Sequence, residues 1–477
     1  MRAMVWFRVD LRVSDNTALS TAAALATRGV VGLFVVDPTN WRRHDWAPVK
    51  VDFVLRSVTA LRDELARLKI PLLVRTAAHH RDTPGVVLAA ARDAGCDAVV
   101  FGREYELHET ARDERVETLC AEARVLCRRV HDVCAVNPGE VLTQSETPYT
   151  VFTPFKRQWI SEVERRGGVV LHATPAVQAE TGVASEPLPT AADVGFASSV
   201  PAALWPAGER AAQSRLAEFC RAAIAGYKER RNFPGEAGTS KLSPHLAVGT
   251  ISPRQCVLAA QAANGGALAS TREGPTHWIS EVVWREFYKH ILFHFPRVCR
   301  GRAFKPATEA IAWSDDAGAF EAWKAGRTGV PIVDAAMRAL VVEGWMHNRL
   351  RMITAMYLTK DLLIDWRLGE RWFMQNLIDG DLSQNNGGWQ WSASTGTDAA
   401  PYFRIFNPVT QSERFDPNGV FIRRWVPELA DLHDEHVHDP STLPGLLRSV
   451  VNYPHPIVDR AGVKDRVLAA FKGLGGG

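Results

Sequence analysis

Four short apolar runs in the first hundred residues constrain the fold more than anything else in this chain. Ala3 to Phe7, Val30 to Val36, Pro71 to Val74 and Ala98 to Gly102 are too short for buried helices and read as buried strands. Between the second and third, Val51, Val54, Leu55, Val58, Leu61, Leu65 and Leu68 recur at helical spacing. Further helices are predicted after Arg81 and after His108. Strands alternating with helices close as a parallel sheet covered by its crossover helices, a Rossmann-like α/β layer. Ligands of such sheets gather at the carboxyl ends of the strands. No GxGxxG follows the first strand, so a dinucleotide fingerprint is absent. Asp10, Asn16, His44 and the His108–Glu109 pair fall in loops and helix starts after strands and are candidates to line such a crevice. Each of them alone fits ordinary helix capping as well.

The alternation ends near residue 134. Pro, Gly, Ala and Ser dominate between Thr174 and Pro206, which reads as a long surface linker with one helix near Phe155 to Arg166. From about Ala207 the pattern is helical with Gly-, Pro- and Asn-rich loops. Three parts are expected: an α/β domain over 1–134, a linker over 135–206, and an all-α domain over 207–477 whose glycine tail from Gly473 frays. A chain of 477 residues with 46% hydrophobic and 23% charged residues has enough apolar material for more than one core. Ten of its fifteen tryptophans lie at or after Trp278, so the aromatic load sits in the helical part.

Charge and cysteines bound the function classes. A net charge of +3 does not announce a nucleic-acid binder, but Arg285, Lys289, Arg297, Arg300, Arg302 and Lys305 could form a local basic surface. A solvated helix face explains them equally well. The seven cysteines form no CxxC pair, which points away from a zinc site, a cluster or a disulfide framework and toward reduced thiols in the cytoplasm. His433, His436 and His438 in an acidic loop read as a solvated loop before a metal site. No apolar signal core opens the chain, and no run approaches the ~20 apolar residues of a membrane span.

The stretch DGDLSQNNGGWQW (379–391) carries the most chemistry. It places two carboxylates, two adjacent amides, three glycines, two of them paired, and two tryptophans within thirteen residues. Paired glycines admit close backbone approach, and asparagine offers donors and acceptors to a heterocycle edge. A flavin or nucleobase pocket and a tight aromatic helix junction are both open on this segment alone.

Five further segments stand with it: VWFRVDLR (5–12), GYKERRNFP (226–234), GTSKLSPHL (238–246), SEVVWREFY (280–288) and GWMHNRLRM (344–352). Together, in this order and spacing, they closely resemble the photolyase/cryptochrome family, class I cyclobutane pyrimidine dimer photolyases in particular. The resemblance runs from Val5 to about Pro456. It implies the photolyase fold, with an α/β antenna domain, a linker and an all-α domain binding reduced FAD (FADH⁻).

The resemblance also implies roles residue by residue. Thr239, Ser240, Lys241, Leu242 and Ser243 match the FAD diphosphate loop, and Tyr227 a further FAD contact. Asn348, Asp379, Asp381 and Asn385 match residues around the isoalloxazine and ribose, Arg351 the partner of Asp379, and Asn385 the position facing flavin N5. Glu281, Trp284, Asn348, Met352 and Trp391 match the lesion pocket. Arg285, Lys289 and Arg349 match contacts to DNA phosphates. Trp389, Trp366 and Trp313 match an electron relay from flavin to surface. His44, His108, Glu109, Cys299 and Arg300 lie where folate-type members hold 5,10-methenyltetrahydrofolate; His108 stands for the usual asparagine and Arg300 for a common lysine. 8-Hydroxydeazaflavin or no antenna are the alternatives.

The function implied is light-driven repair of cyclobutane dimers in UV-damaged DNA by a monomer with no obligate protein partner, no membrane and no metal. A cryptochrome receptor is disfavoured because no long extension follows the helical part and because Asn385 suits repair. A (6-4) photolyase is disfavoured because Met352 and Trp391 stand where its histidine acid is expected. A flavin-bearing DNA-binding module is disfavoured, weakly, by Glu281.

Overall fold

A computed structural model of the chain describes residues 1–472 and 474. The expected fraying of the glycine tail lies largely outside the described residues. The chain divides into two compact units, one of residues 1–225, 240–299 and 378–383, the other of 226–239, 300–377 and 384–477. The units do not follow the expected boundary at 207. The helices Glu209–Ala222, Pro253–Ala263 and Glu273–His294 fall with the sheet.

The first unit carries five parallel strands: β1 (Ala3–Phe7), β2 (Val30–Val36), β3 (Leu72–Thr76), β4 (Ala98–Gly102) and β5 (Leu126–Val130). Their order is β3-β2-β1-β4-β5, with Ala3 opposite both Val30 and Ala98. Helices α1 (Thr17–Leu25), α2 (Pro38–Arg43), α3 (Pro48–Arg67), α4 (Thr83–Asp93) and α5 (Leu107–Glu122) form the crossovers. The three central strands are buried along their whole length, as their unbroken apolar runs require. The sequence LCRRV of β5 escaped the apolar criterion because an edge strand needs only one buried face.

The linker protects the opposite edge. Ser185 Oγ accepts from the Leu72 amide, Glu186 donates its own amide to Leu72 O, and the Glu186 carboxylate accepts from the Val74 amide. An open edge strand would otherwise invite pairing with another chain. The helix Phe152–Arg165 buries Phe155 and Trp159, and the Trp159 indole donates to Glu286 on the helix Glu273–His294.

The carboxyl end of the sheet is filled by the chain's own side chains. The Arg8 guanidinium lies 4.3 Å from the Trp6 ring and 4.9 Å from that of Phe101, pairs with Asp113 at 2.6 Å, and bonds Gly102 O. Asn16 caps α1 by accepting from the Leu19 amide and donates to Asp10 O. Capping is thus what Asn16 does. Position 249 requires glycine, because its φ is +73° and a Cβ there would lie 1.8 Å from Val9 O.

The second unit is helical. Its core holds Trp323, Trp366, Trp389, Phe373, Leu340 and Tyr357, with Trp313 and Trp372 packed at the margin. Gly369 in the helix Trp366–Met374 makes this possible, since a Cβ there would meet the Trp389 ring at 2.1 Å. Among the described residues no helix is long and apolar enough to cross a membrane.

Candidate functional site

In the first unit, the helix Glu273–His294 presents Glu281 and Trp284 one turn apart, both half-buried. Phe152 stacks on Trp284 with centroids 3.7 Å apart and planes 9° apart, so one indole face is covered. Lys156, unnoticed in the sequence, bonds Ser280 Oγ at 2.6 Å. Burial pushes its ammonium down, and the charge of Glu281 counters that. Only its spacing to a helix 124 residues on could have revealed it.

The basic run 281–305 does not form one surface. Arg285 donates to Val133 O and Leu246 O. Lys289 is 7% exposed and lies 2.9 Å from Asp381 and 3.3 Å from Glu106. A buried ammonium between two carboxylates is no phosphate contact, and that expectation is corrected for Lys289. Desolvation opposes its charge, but Asp381 and Glu106 together raise its pKa.

The turn before the helix Leu382–Ala393 is held the same way. Burial disfavours the Asp381 carboxylate, yet Lys289 and Arg285 outweigh it and keep the group well below the usual range. Asp381 Oδ1 accepts from the Ser383 amide and hydroxyl, and Gly380 O accepts from Lys50 Nζ at 2.6 Å. Asp379 is 7% exposed. In the loop 240–243, Lys241 takes φ +50° and Ser240 Oγ accepts from the Leu242 amide. Ser243 opens the short helix Ser243–Val248.

His44, His108 and Glu109 do come together. His44 Nε2 is 3.2 Å from Glu109 Oε1, and the His44 and His108 rings are 5.9 Å apart. Burial opposes the Glu109 charge, but His44 and Arg112 hold the carboxyl well below its ordinary range. Burial and the neighbouring Arg43 push His108 down, and Arg43 donates to its Nε2 at 3.1 Å. Cys299 belongs to the same neighbourhood: burial and Glu106 push its thiol up to about 12 while the Leu107 backbone bonds it. His80, paired with Asp37 at 3.2 Å and 3.4 Å from His108 O, was not foreseen. Arg300 is exposed and opens a segment of the second unit.

In the second unit, the Asn385 amide donates to Glu370 O at 2.9 Å and the Asn386 amide to Glu370 Oε1 at 3.0 Å. Gln390 extends the cluster to Asn386 Oδ1 at 2.8 Å. Desolvation pushes the Glu370 carboxyl up to about 7, against the Asn386 bond and the charges of Arg367 and Arg371. Glu370 is a third residue the sequence reading missed; only the fold shows that it meets 385–386.

Trp389 and Trp366 are buried in the aromatic core, while Trp313 is half-buried at its margin. Trp389 meets Phe373 at 4.9 Å and Trp323 at 6.0 Å, both edge to face. Its buried Nε1 has no hydrogen-bond partner among the described residues. The Arg367 guanidinium lies 4.7 Å from the Trp366 ring. Trp391, two residues beyond Trp389, is half-buried, Asn348 is exposed, and Met352 follows it at i+4 with its sulfur 4.0 Å from the Asn348 amide. Arg351 donates to Met346 O.

Arg349 donates to Asn232 at 2.6 Å and lies 4.4 Å from the Phe415 ring, as Arg414 does at 5.2 Å. Burial, then Arg231, Arg414 and Arg404, push its pKa down to about 10. Those three arginines, spread over 183 residues, make a cationic cluster the sequence did not display. Tyr227 is buried under the Arg231 guanidinium at 5.4 Å, and Thr239 is half-buried.

Among the described residues no group of three His, Cys, Asp or Glu could hold a metal ion; His438 is buried against Ser412 and Pro417 O.

A parallel α/β sheet at the start and a tryptophan-rich helical unit with a buried amide–carboxyl cluster define a narrow class. Residues 3–178 match the family model for DNA photolyase, and residues 278–473 that for the FAD binding domain of DNA photolyase. The deoxyribodipyrimidine photo-lyase of Salmonella typhimurium is 43% identical over 472 residues, 98% of each chain. A bacterial class III photolyase from Agrobacterium tumefaciens has a TM-score of 0.87 at 35% identity, over 99% of this chain and 97% of that one. An archaeal photolyase from Sulfolobus tokodaii, solved with two FAD molecules, has a TM-score of 0.80 at 30% identity, over 99% and 100%. The chain belongs to the DNA photolyase family.

Proposed function

We propose that this chain repairs cyclobutane pyrimidine dimers in DNA under blue or near-UV light, as a cytoplasmic monomer. The observation that carries the reading is the helix Leu382–Ala393. It joins a buried amide cluster, a tryptophan inside an aromatic core and a second, half-exposed tryptophan two residues on.

The residues present fit a flavin. Asn385 is oriented by its bond to Glu370 O, which leaves its carbonyl oxygen to accept from the N5–H of a reduced ring. The buried, unpartnered Nε1 of Trp389 and the ionised Asp381 are further polar groups suited to a polar heterocycle. When bound and reduced, FAD would supply the reversible one-electron photochemistry that splits the dimer with no net redox change. Tyr227, Thr239, Ser240, Lys241, Leu242, Ser243, Asn348, Arg351, Asp379, Asp381 and Asn385 hold it.

The chain's own groups do the rest. Trp284 and Trp391 stack the flipped-out pyrimidines, at about 1–3 kcal/mol per base. Phe152 braces the far face of Trp284 and so fixes the platform. Glu281 hydrogen-bonds the pyrimidine edge, and Asn348 and Met352 are further lesion contacts. Arg349 and its three neighbouring arginines hold phosphates. Trp389, Trp366 and Trp313 would pass one electron at a time inward to the flavin, and the positive hole would move outward to the margin. The guanidinium over Trp366 disfavours a positive hole there and favours its passage to the margin.

The His44, His108, Glu109, Cys299 and Arg300 set takes a pterin antenna of the methenyltetrahydrofolate class. Ionised Glu109 accepts from a ring N–H and amino group, which a deazaflavin or a second FAD presents less well. Reduced protein mixed with dimer-containing DNA should restore thymine absorbance in light only. Repair in the dark, or none in light, refutes the reading. An added near-UV band in the absorption spectrum checks the antenna.

A further inference from the structure

Two lysines converge on one turn. Lys50 on α3 donates to Gly380 O at 2.6 Å while its Nζ lies 3.5 Å from the Trp46 ring. Lys289 reaches Asp381 at 2.9 Å and Glu106 at 3.3 Å. Both ammonium groups are buried, at 5% and 7% residue exposure. Both also lead back to the His44–Glu109 pair. Lys50 follows His44 by six residues on the same stretch of chain, and Glu106 is the N-cap residue of α5, whose first turn holds Glu109. The whole chain of contacts, His44–Glu109, Glu106–Lys289–Asp381 and Lys50–Gly380, lies within the first unit.

We propose that Lys50, Lys289 and Glu106 are positioning residues that hold the Gly380–Asp381 turn for the flavin and tie it energetically to the chromophore site at His44 and Glu109. This rests on the flavin and pterin assignments above. The physical route is like-charge relief. Half-buried Glu106, the N-cap residue of α5, and buried Glu109 in its first turn are neighbours, and desolvation together with the Glu109 charge pushes the Glu106 carboxyl up, against Lys289. A ligand that donates N–H groups to Glu109 diminishes that repulsion. The Glu106 charge is then opposed less, the Lys289 bridge between Glu106 and Asp381 is strengthened, and the turn is held more firmly. Coupling of this kind is reciprocal and runs typically to five-fold or more.

The test is the rate of FAD loss from the holoenzyme on dilution, read by flavin fluorescence, with and without 5,10-methenyltetrahydrofolate. Folate should slow FAD loss about fivefold. Glu106→Gln should bring that ratio to one while both chromophores still bind, as their absorption bands report. A wild-type ratio of one, or an unchanged ratio in Glu106→Gln, overturns the coupling. Failure of folate to bind at all removes the antenna assignment and the coupling with it, whereas repair assayed in parallel shows whether the flavin assignment survives. Lys50→Gln provides a second reading that leaves the carboxylates paired: FAD should leave faster with and without folate, with slope of binding against salt unchanged for damaged DNA. Unaltered FAD release in that variant refutes the positioning role.

Discussion

Two half-buried carboxyls border the amide-rich helix Leu382–Ala393 and take opposite states. Asp381, at its start, is flanked by Lys289 and Arg285 and stays ionised. Glu370, which meets Asn385 and Asn386 from another helix, has an amide where Asp381 has an ammonium, and its carboxyl rises to about 7. Burial is common to both; the partner decides. The difference leaves one fixed negative charge and one acid that is half-protonated near neutrality. A fixed charge anchors, while a neutral acid lets a newly formed anion sit nearby without repulsion.

The largest effect should come from breaking the fixed charge. Lys289→Met leaves Asp381 and Glu106 buried without their cation, which costs about 3–5 kcal/mol. Thermal unfolding should show a drop of many degrees. A loss of DNA affinity with intact stability would instead restore Lys289 to the phosphate contacts. Gly369→Ala comes next. Its Cβ must displace the Trp389 ring, at about 1–3 kcal/mol, and it adjoins Glu370. Both the core and the Asn385–Asn386 bonds should loosen, seen as lower stability together with impaired photoreduction.

The pH dependence separates the two carboxyls. The folded pKa of Asp381 is depressed below its ordinary 3.8, so its contribution is present above that value and lost in acid. The folded pKa of Glu370 is raised from 4.5 to about 7, so its contribution is complete below 4.5 and is lost as pH rises through 7. Between pH 5 and 8 the protein should lose about 1–2 kcal/mol through Glu370, allowing for partial solvent access. Glu370→Gln should flatten that slope in denaturant titrations across the range; an unchanged slope assigns it elsewhere.

How much of this the sequence displayed follows from the range of each signal. Central strands are unbroken apolar runs, so they were legible; β5 carries two adjacent arginines on an edge and was not. Trp389, Trp391 and Asn385 were legible because their chemistry is crowded into thirteen residues. Glu370, Lys156 and the arginines near Arg349 were not, because each becomes functional only through a partner far away in the chain. Lys289 was misread for the same reason: composition shows a cation but not the two carboxylates that enclose it.

The smallest effect extends the comparison from anions to cations. Lys289 is neutralised by its partners, whereas Arg349 is crowded by Arg231, Arg404 and Arg414, and burial and their charges lower its pKa to about 10. A guanidinium among like charges is stabilised by any anion that arrives, and a phosphate supplies one in the geometry a planar fork prefers. Arg349→Ala should therefore weaken binding of damaged and undamaged DNA alike, by about 1 kcal/mol, and reduce the slope of log K against log salt by about one. Relief of repulsion among the remaining three arginines should make the folded protein no less stable. If the salt slope stays put while discrimination for the dimer falls, Arg349 is reading the lesion and not the backbone.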